Sequence, residues 1–489
     1  MIRNRCIASI AISAAALTSA ANLAQSAAPA PAPTSLRVMT FNIWYGGEQV
    51  NFASVAEAIR ASDADVIGIQ ESEGNLRRLA AAAGYAHVDT RRNLLARFPI
   101  FDGDLHAWVM VRPGEVVAVA NTHLSSDLYG PESVRDGAAL DTVLADEERS
   151  RIPETRVLLK LADLPASTPV FLTGDFNTPS HRDWTAQMQS RRPEAIRYPI
   201  EWPVTRMLEN AGFRDSFREI FPDPAQHPGF TWTAGMPHPY IRPRETIDRI
   251  DFVWSKGPIE TLRSEIVGEP GGDGVDIAIN PYPSDHRAVV STFRVVPTAA
   301  PALVNVAPRV VTRGEDALVR AHDPRSEGWR VVIVRAGAAV SNAVLRLEES
   351  VRAWRPAGRF TTRSLTSGEY DVILLAEDGK EIARNRFAIR DPALPVQLLI
   401  PVTGTRSGEP LRVRWSNGLG NKHDSIGIFR VGAAAGDALA RGYLDARYAG
   451  EIVIPTSTAD GPIAPGIYEL RFLRDDSPTV EATLSFRLF

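Results

Sequence analysis

Residues 36–44 (LRVMTFNIW) alternate between apolar and polar side chains, the period-two pattern of a half-buried strand, and Asn42 stands near the end of the run. Residues 65–71 (DVIGIQE) are apolar on both faces, which predicts a fully buried strand that ends on Glu71. Residues 116–123 (VVAVANTH) and 170–177 (VFLTGDFN) repeat the arrangement of an apolar strand with a polar terminus. So do residues 247–254 (IDRIDFVW), which carry Asp251, and the PSDHR stretch at 283–287 that leads into the apolar run 288–293. Shorter runs at 93–100 and 107–112 add further β-type segments. Between them, residues 51–61 place Val55, Ala58 and Ile59 at helical spacing, residues 76–83 are Leu/Ala-rich, and residues 141–163 are charged with a helical pattern that Pro153 must start or kink. Interleaved strands and helices predict an α/β architecture.

Beyond Pro297 the pattern changes to short β-type runs separated by turn residues. An internal repeat is visible: VVIVRAG at 331–337 matches IGIFRVG at 426–432, Gly368-Glu369-Tyr370 matches Gly466-Ile467-Tyr468, and each copy ends in a strand around Phe387 or Phe486. The expected division is a leader at 1–28, an Ala/Pro linker at 29–35, an α/β domain at 36–296, and β-sandwich modules at 300–392 and 396–489. The linker between those modules is the DPALP segment at 391–395.

Arg3 and Arg5 precede a mostly apolar stretch at 6–21, and small residues at 26–28 offer a cleavage site, the pattern of an export signal. The protein is therefore expected to be exported, periplasmic or extracellular. No later run is apolar enough for a membrane-spanning helix, and no obligate protein partner is evident. The one cysteine, Cys6, lies inside that leader, so the exported chain must be held by its cores and any metal must be bound through oxygen and imidazole ligands, which suit Mg²⁺, Mn²⁺ or Ca²⁺. With 44% hydrophobic and 23% charged residues the chain of 489 is globular in composition, and a net charge of −4 provides no global basic field for nucleic acid.

The polar strand ends assemble a chemistry. Side chains two apart on a strand share a face, so Asp175 and Asn177 project together. With Asn42, Glu71, His123, Asp251, Asp285 and His286 they supply what metal-assisted hydrolysis of a phosphate ester requires: ligands for a divalent cation, an anchor for the attacking water, donors to the phosphoryl oxygens and an acid for the leaving oxygen.

Six motifs in order then resemble the endonuclease/exonuclease/phosphatase superfamily, which includes DNase I, exonuclease III-type AP endonucleases, bacterial neutral sphingomyelinases and inositol polyphosphate 5-phosphatases. They are TFNI at 40–43, IQE at 69–71, NTHL at 121–124, GDFN at 174–177, RIDF at 249–252 and SDH at 284–286. The resemblance spans residues 36–295. It implies a DNase I-like four-layer α/β sandwich, two packed mixed β-sheets flanked by helices, followed here by two all-β sandwich domains. It also implies Glu71 as the main metal ligand, with Asn42 and Asp285 close to the same ion, Mg²⁺ first among candidates. Asp175 is implied as the residue that orients or deprotonates water, Asn177 as a phosphate donor, and His286 as phosphate contact or base held by Asp251. His123 is the implied general acid or phosphate donor. The stretch between Glu71 and His123 is short, and Asp89 is the nominal acidic partner for His123.

Arg91, Asn93 and Arg156 are candidate substrate contacts, although helix or loop charges such as Arg91, Arg92, Arg149, Arg151 and Arg156 read first as solvated. Asp248 reads as a surface residue, and Trp232 and Trp254 as core. Residues 413–417 (VRWSN) and 424–429 (DSIGIF) resemble a β-sandwich module appended to some secreted metallophosphoesterases, which implies an accessory packing or surface-binding role. The expected activity is hydrolysis of a phosphodiester or phosphomonoester, the substrate being a phospholipid head group, a nucleic acid or a small phosphodiester. A secreted nuclease of the same superfamily and a catalytically dead binding module are the alternatives.

Overall fold

The computed structural model describes residues 31–233, 246–326, 328–349, 358–400, 405–458 and 461–489. The expected leader at 1–28 and the end of the aromatic stretch before Tyr240 lie outside the described residues. Thirteen strands build the α/β part: Thr34–Asn42 (β1), Val66–Gln70 (β2), His87–Asp89 (β3), Leu94–Ala96 (β4), Ile100–Asp102 (β5), Ala107–Arg112 (β6), Glu115–His123 (β7), Val170–Asp175 (β8), Arg214–Asp215 (β9), Asp251–Lys256 (β10), Ile259–Gly268 (β11), Ile277–Ala278 (β12) and Ala288–Val295 (β13). One mixed sheet runs β12-β11-β13-β1-β2-β4-β3. The other runs β5-β6-β7-β8-β10-β9, with Thr298–Ala299 added against β7.

Period two decides what each strand faces. Val38, Val66, Val117, Val119, Phe171, Val253, Val289 and Phe293 turn inward and fill the space between the sheets. The opposite face of β1 and β2 (Phe41, Ile43, Ile67, Ile69) packs under the helices Phe52–Ser62 and Leu76–Ala83. The outer face of β8 and β10 (Leu172, Phe252, Trp254) packs under Arg151–Leu158 and Pro203–Asn210. The order helix–sheet–sheet–helix is the DNase I-like four-layer sandwich. Trp254, 1% exposed, is core as expected.

The same parity carries polar residues into the inter-sheet face at one end of the sandwich. Following Val38 come Thr40 and Asn42, following Val66 comes Gln70, following Val119 come Asn121 and His123, and following Phe171 come Thr173 and Asp175. Gln70 Nε2 donates to Asn121 Oδ1 at 2.6 Å and to Thr40 Oγ1 at 3.1 Å, and Thr173 Oγ1 donates to the same Asn121 oxygen at 3.0 Å. This buried polar layer is the floor on which the strand ends stand.

Some boundaries differ from the sequence pattern. Residues 93–100 divide at Phe98-Pro99 between the two sheets, because proline lacks the N–H a continuing strand needs. The strand expected from residue 247 begins at Asp251, since the amides of Ile250 and Asp251 donate instead to Thr231 Oγ1 at 3.1 and 3.3 Å. Residues 140–163 form helices Leu140–Arg149 and Arg151–Leu158 and a 3₁₀ turn, with Pro153 in the first turn of the second helix, where its missing donor costs nothing. The first strand among the described residues begins at Thr34, inside the expected linker, where β1 pairs with β13.

The repeated sequence has a repeated register. Arg335 stands opposite Tyr370 and Arg430 opposite Tyr468; Tyr370 stands opposite Phe387 and Tyr468 opposite Phe486. Each tyrosine hydroxyl donates at 2.7 Å to the carbonyl four residues earlier, Thr366 and Ala464, closing the same corner twice. Each repeat buries its own apolar core between two sheets.

Candidate active site

Asp175 ends β8 and is 1% exposed. Its Oδ1 accepts the backbone N–H of Asn177 at 2.9 Å, a turn that Asn177 closes in the left-handed region at φ 49°, which asparagine tolerates. Its Oδ2 lies 3.0 Å from Asn42 Nδ2, 3.4 Å from His123 Nε2 and 3.7 Å from His286 Nε2. Asp251, directly across the β8–β10 ladder from Asp175, stands 3.0 Å from His286 Nδ1. Asn42, Glu71, His123, Asp175, Asn177, Asp251, Asp285 and His286 thus meet at one end of the sandwich.

The electrostatics follow from burial and from these pairs. Burial opposes charge on His286, but Asp251, Asp175 and Asp285 outweigh it and hold the imidazole well above its ordinary value. Burial likewise opposes charge on His123, and the hydrogen bond and charge of Asp175 raise it on balance, with Glu71 helping and His286 opposing. Burial pushes Asp175 upward, yet the two imidazoles hold it below the ordinary carboxylate range. Asp251 is raised by burial first, with Asp175 adding to it. His286 is therefore braced between two carboxylates that favour its charged form.

Glu71 and Asp285 sit differently. Glu71 takes φ 55° after β2, and its carboxylate accepts Asn42 Nδ2 at 3.0 Å and Tyr45 N at 2.8 Å. Asp285 is pushed up to about 6 by burial and by Glu71, against the pull of His286 and a hydrogen bond from Trp232. Glu73 is pushed up to about 8 by burial, Glu71, Asp476 and Asp475. Among the described residues no lysine or arginine is paired with Glu71, Glu73 or Asp285. Half-buried carboxylates that repel one another with no lysine or arginine paired to them suit a hard divalent cation. Asp175, Asp251 and His286 also bring ligand atoms within 4.8 Å of one another, a buried group that fits a metal site as well.

Several expectations are corrected. Asn42, expected among the metal ligands, lies beside Glu71 and Asp175, with its Oδ1 accepting Trp44 N at 3.0 Å and its Nδ2 3.0 Å from both carboxylates. Asn177 uses one amide hydrogen on the Leu124 carbonyl at 2.9 Å, leaving one for a phosphate oxygen. Asp89 pairs with Arg92, so the acidic partner of His123 is Asp175 itself. Arg91 is engaged with Asp102 and Asp445, and Arg156 with Glu148; neither contacts the cluster. Asn93 is buried with its Nδ2 unpartnered, and its carbonyl accepts Ile69 N. Arg151 is wholly buried on Glu147 rather than solvated. Asp248 is buried, accepting Trp184 Nε1 at 3.1 Å and Tyr129 Oη at 3.2 Å. Trp232 lines the site beside His286, with ring centroids 6.1 Å apart.

Sequence reasoning missed Gln70 and Thr173 in the floor, and Ser284, whose hydroxyl donates to the Asn42 carbonyl at 2.7 Å and accepts His286 N at 3.1 Å. Their signal was parity: each lies an even number of residues from an inward-facing side chain or from His286.

Residues 39–286 match the model of the Endonuclease/Exonuclease/phosphatase family. An uncharacterized protein of Caenorhabditis elegans is 32% identical over 291 residues, covering 53% of this chain and 91% of that protein. Among solved structures, the chain is similar to an endonuclease/exonuclease/phosphatase from Beutenbergia cavernae (19% identity, 72% of this chain and 99% of that one, TM-score 0.36). It is also similar to an AP endonuclease from Archaeoglobus fulgidus (16% identity, 52% and 98%, TM-score 0.34).

Proposed function

The chain belongs to the endonuclease/exonuclease/phosphatase family, and from that premise we propose that it is an exported, divalent-metal-dependent phosphoesterase that hydrolyses a phosphodiester by attack of water on phosphorus. The observation that carries the reading is the position of Asp175 Oδ2, within 3.7 Å of both His123 Nε2 and His286 Nε2 and 3.0 Å from the Asn42 amide that links it to Glu71.

A bound divalent cation, Mg²⁺ first, would neutralise phosphoryl charge and polarise the ester; Glu71 and Asp285 are the residues to hold it. Asp175, depressed by its two imidazoles, is a weak base and a strong acceptor, so its part is to orient the attacking water. His286, braced by Asp251, presents a fixed Nε2–H to a phosphoryl oxygen, and the second amide hydrogen of Asn177 does the same. His123 is the more exposed of the two histidines and is held toward its charged form, which suits it to protonate the leaving oxygen.

The carboxylates Glu71, Glu73 and Asp285, none paired with a lysine or arginine among the described residues, disfavour a polyanion. They support a small or head-group phosphodiester over a nucleic acid, and the intact set of catalytic groups supports an enzyme over a binding module. Purified protein is to be incubated with bis(p-nitrophenyl) phosphate, sphingomyelin, phosphoinositides, RNA and plasmid DNA, with and without EDTA. EDTA-sensitive cleavage of a lipid or small diester is expected; DNA or RNA cleavage alone would replace this reading with the nuclease. Export rests on residues 1–28 and is tested by N-terminal sequencing of the protein recovered outside the cytoplasm.

A further inference from the structure

The last β module is built into the walls of the site. Asp475, in the turn between strands Gly466–Leu473 and Val480–Leu488, is 2% exposed. Its Oδ2 accepts the backbone N–H of Gly74 at 2.6 Å and faces Ser72 Oγ at 3.4 Å; its Oδ1 accepts His423 N at 3.0 Å. Gly74 and Ser72 belong to the turn immediately after Glu71, 401 and 403 residues earlier in the chain. In that turn Glu71, Glu73 and Gly74 all take left-handed backbone, at φ 55°, 44° and 83°. A turn with two non-glycine residues there persists only where its surroundings over-determine it. Gly46 holds one side, its amide donating to the Glu71 carbonyl at 2.8 Å. Asp475 holds the other.

The repeat supplies an internal comparison. In the preceding module the matching strands Gly368–Leu375 and Glu381–Arg390 carry the same bulged register, and their turn places Glu377 and Asp378 in solvent. Asp475 differs from them in its seat against the Glu71 turn, to which it adds bonds to His423 and Asp424 within the module. A second tie reaches the opposite wall, where Lys422 Nζ donates at 3.1 Å to the carbonyl of Asn121, two residues before His123. One module thus grips both the Glu71 turn and the end of the His123 strand.

We propose that Asp475 is a positioning residue of the metal site: through Gly74 and Ser72 it fixes the turn that aims the Glu71 carboxylate, and the last β module is a working part of the active site. The inference rests on the reading of Glu71 as a metal ligand. Mn²⁺ binding to the full chain, followed by the electron paramagnetic resonance signal of the free ion, tests it in the wild type, E71Q, D475N and D378N. Asp378 serves as the control because it stands exposed in the matching turn of the preceding module, where it pairs with Lys380.

D475N is expected to weaken Mn²⁺ binding by about 10–100-fold, the range for outer partners of a metal ligand. Its activity on bis(p-nitrophenyl) phosphate should recover at saturating Mn²⁺, which lost structure would not allow. D378N should bind Mn²⁺ like the wild type. Wild-type affinity in D475N, or the same loss in D378N, would overturn the proposal while leaving Glu71 as ligand. Unchanged affinity in E71Q would remove the metal reading and this proposal with it. Should D475N fail to fold, D475E, which keeps the charge and displaces both oxygens by a methylene, carries the same readings.

Discussion

Asn42 Nδ2 lies 3.0 Å from Asp175 Oδ2, joining the end of one sheet to the end of the other. The same nitrogen lies 3.0 Å from Glu71 Oε1, so one carboxamide separates the carboxylate that would hold a cation from the one that would hold water. Asn42→Ala should cost about 1.5–3 kcal/mol in transition-state stabilisation, the value of hydrogen bonds to charged groups. That corresponds to roughly ten- to hundredfold in kcat/KM. Steady-state kinetics on bis(p-nitrophenyl) phosphate check it, and an unchanged kcat/KM would show that Asn42 only packs.

Asp175→Asn keeps the shape of the side chain and removes the charge between the two imidazoles. Its kcat should fall by about 10²-fold, the order expected when a reacting group is misplaced, with KM little changed. His286 and Asp251 act as one unit, so His286→Gln, Asp251→Asn and the double variant should lose similar amounts. Additive losses would argue that the two work separately.

Dialysis against EDTA should abolish activity, and Mg²⁺ or Mn²⁺ should restore it. Glu71→Gln should need a higher metal concentration for half-maximal rate. Full activity after exhaustive chelation would remove the cation from the mechanism.

The polar floor leaves no room at Gly68, where an added Cβ would lie 2.0 Å from Thr173 Oγ1 and 2.4 Å from Asn121 Oδ1. Gly68→Ala should destabilise by about 1–3 kcal/mol through overpacking, and more if the Asn121–Thr173 hydrogen bond breaks. Urea unfolding measures it. A loss below about 0.5 kcal/mol, the ordinary scatter for a harmless substitution, would show that the floor can shift.

Lys422 is packed where the last module meets the catalytic domain, and burial pulls its ammonium down to about 8, against the attraction of Asp445, Asp89 and Asp475. Between that value and the ordinary lysine value the unfolded chain binds the proton and the folded chain does not. Stability contributed by this group therefore rises as pH increases from about 8 toward the ordinary lysine range. Lys422→Met should flatten that rise. Urea unfolding at several alkaline pH values reads the slope, and an identical slope in the variant would contradict the burial argument.

Much of the site is legible in the chain because alternation is a local property. An inward-facing Val119 implies an inward-facing Asn121 and His123, and an inward-facing Phe171 implies Thr173 and Asp175, before any partner strand is known. The same logic, with the ordered motifs, identifies which strand ends carry chemistry and that they belong to an α/β sandwich. Arg91 and Arg156 show where it stops, because a guanidinium goes to whichever carboxylate the fold brings near. Here those are Asp102, Asp445 and Glu148, none of them in the cluster.

By itself, then, the sequence determined the strands, their inward faces, the repeat and the set of residues that meet at one end of the sandwich, since period and parity are carried by neighbouring residues. Packing in three dimensions settles which acid braces which histidine, and that Asp475 from the last hairpin grips the turn after Glu71. Those outcomes depend on hydrogen bonds between groups tens to hundreds of residues apart, whose geometry exists only once the two sheets and the last module are packed together.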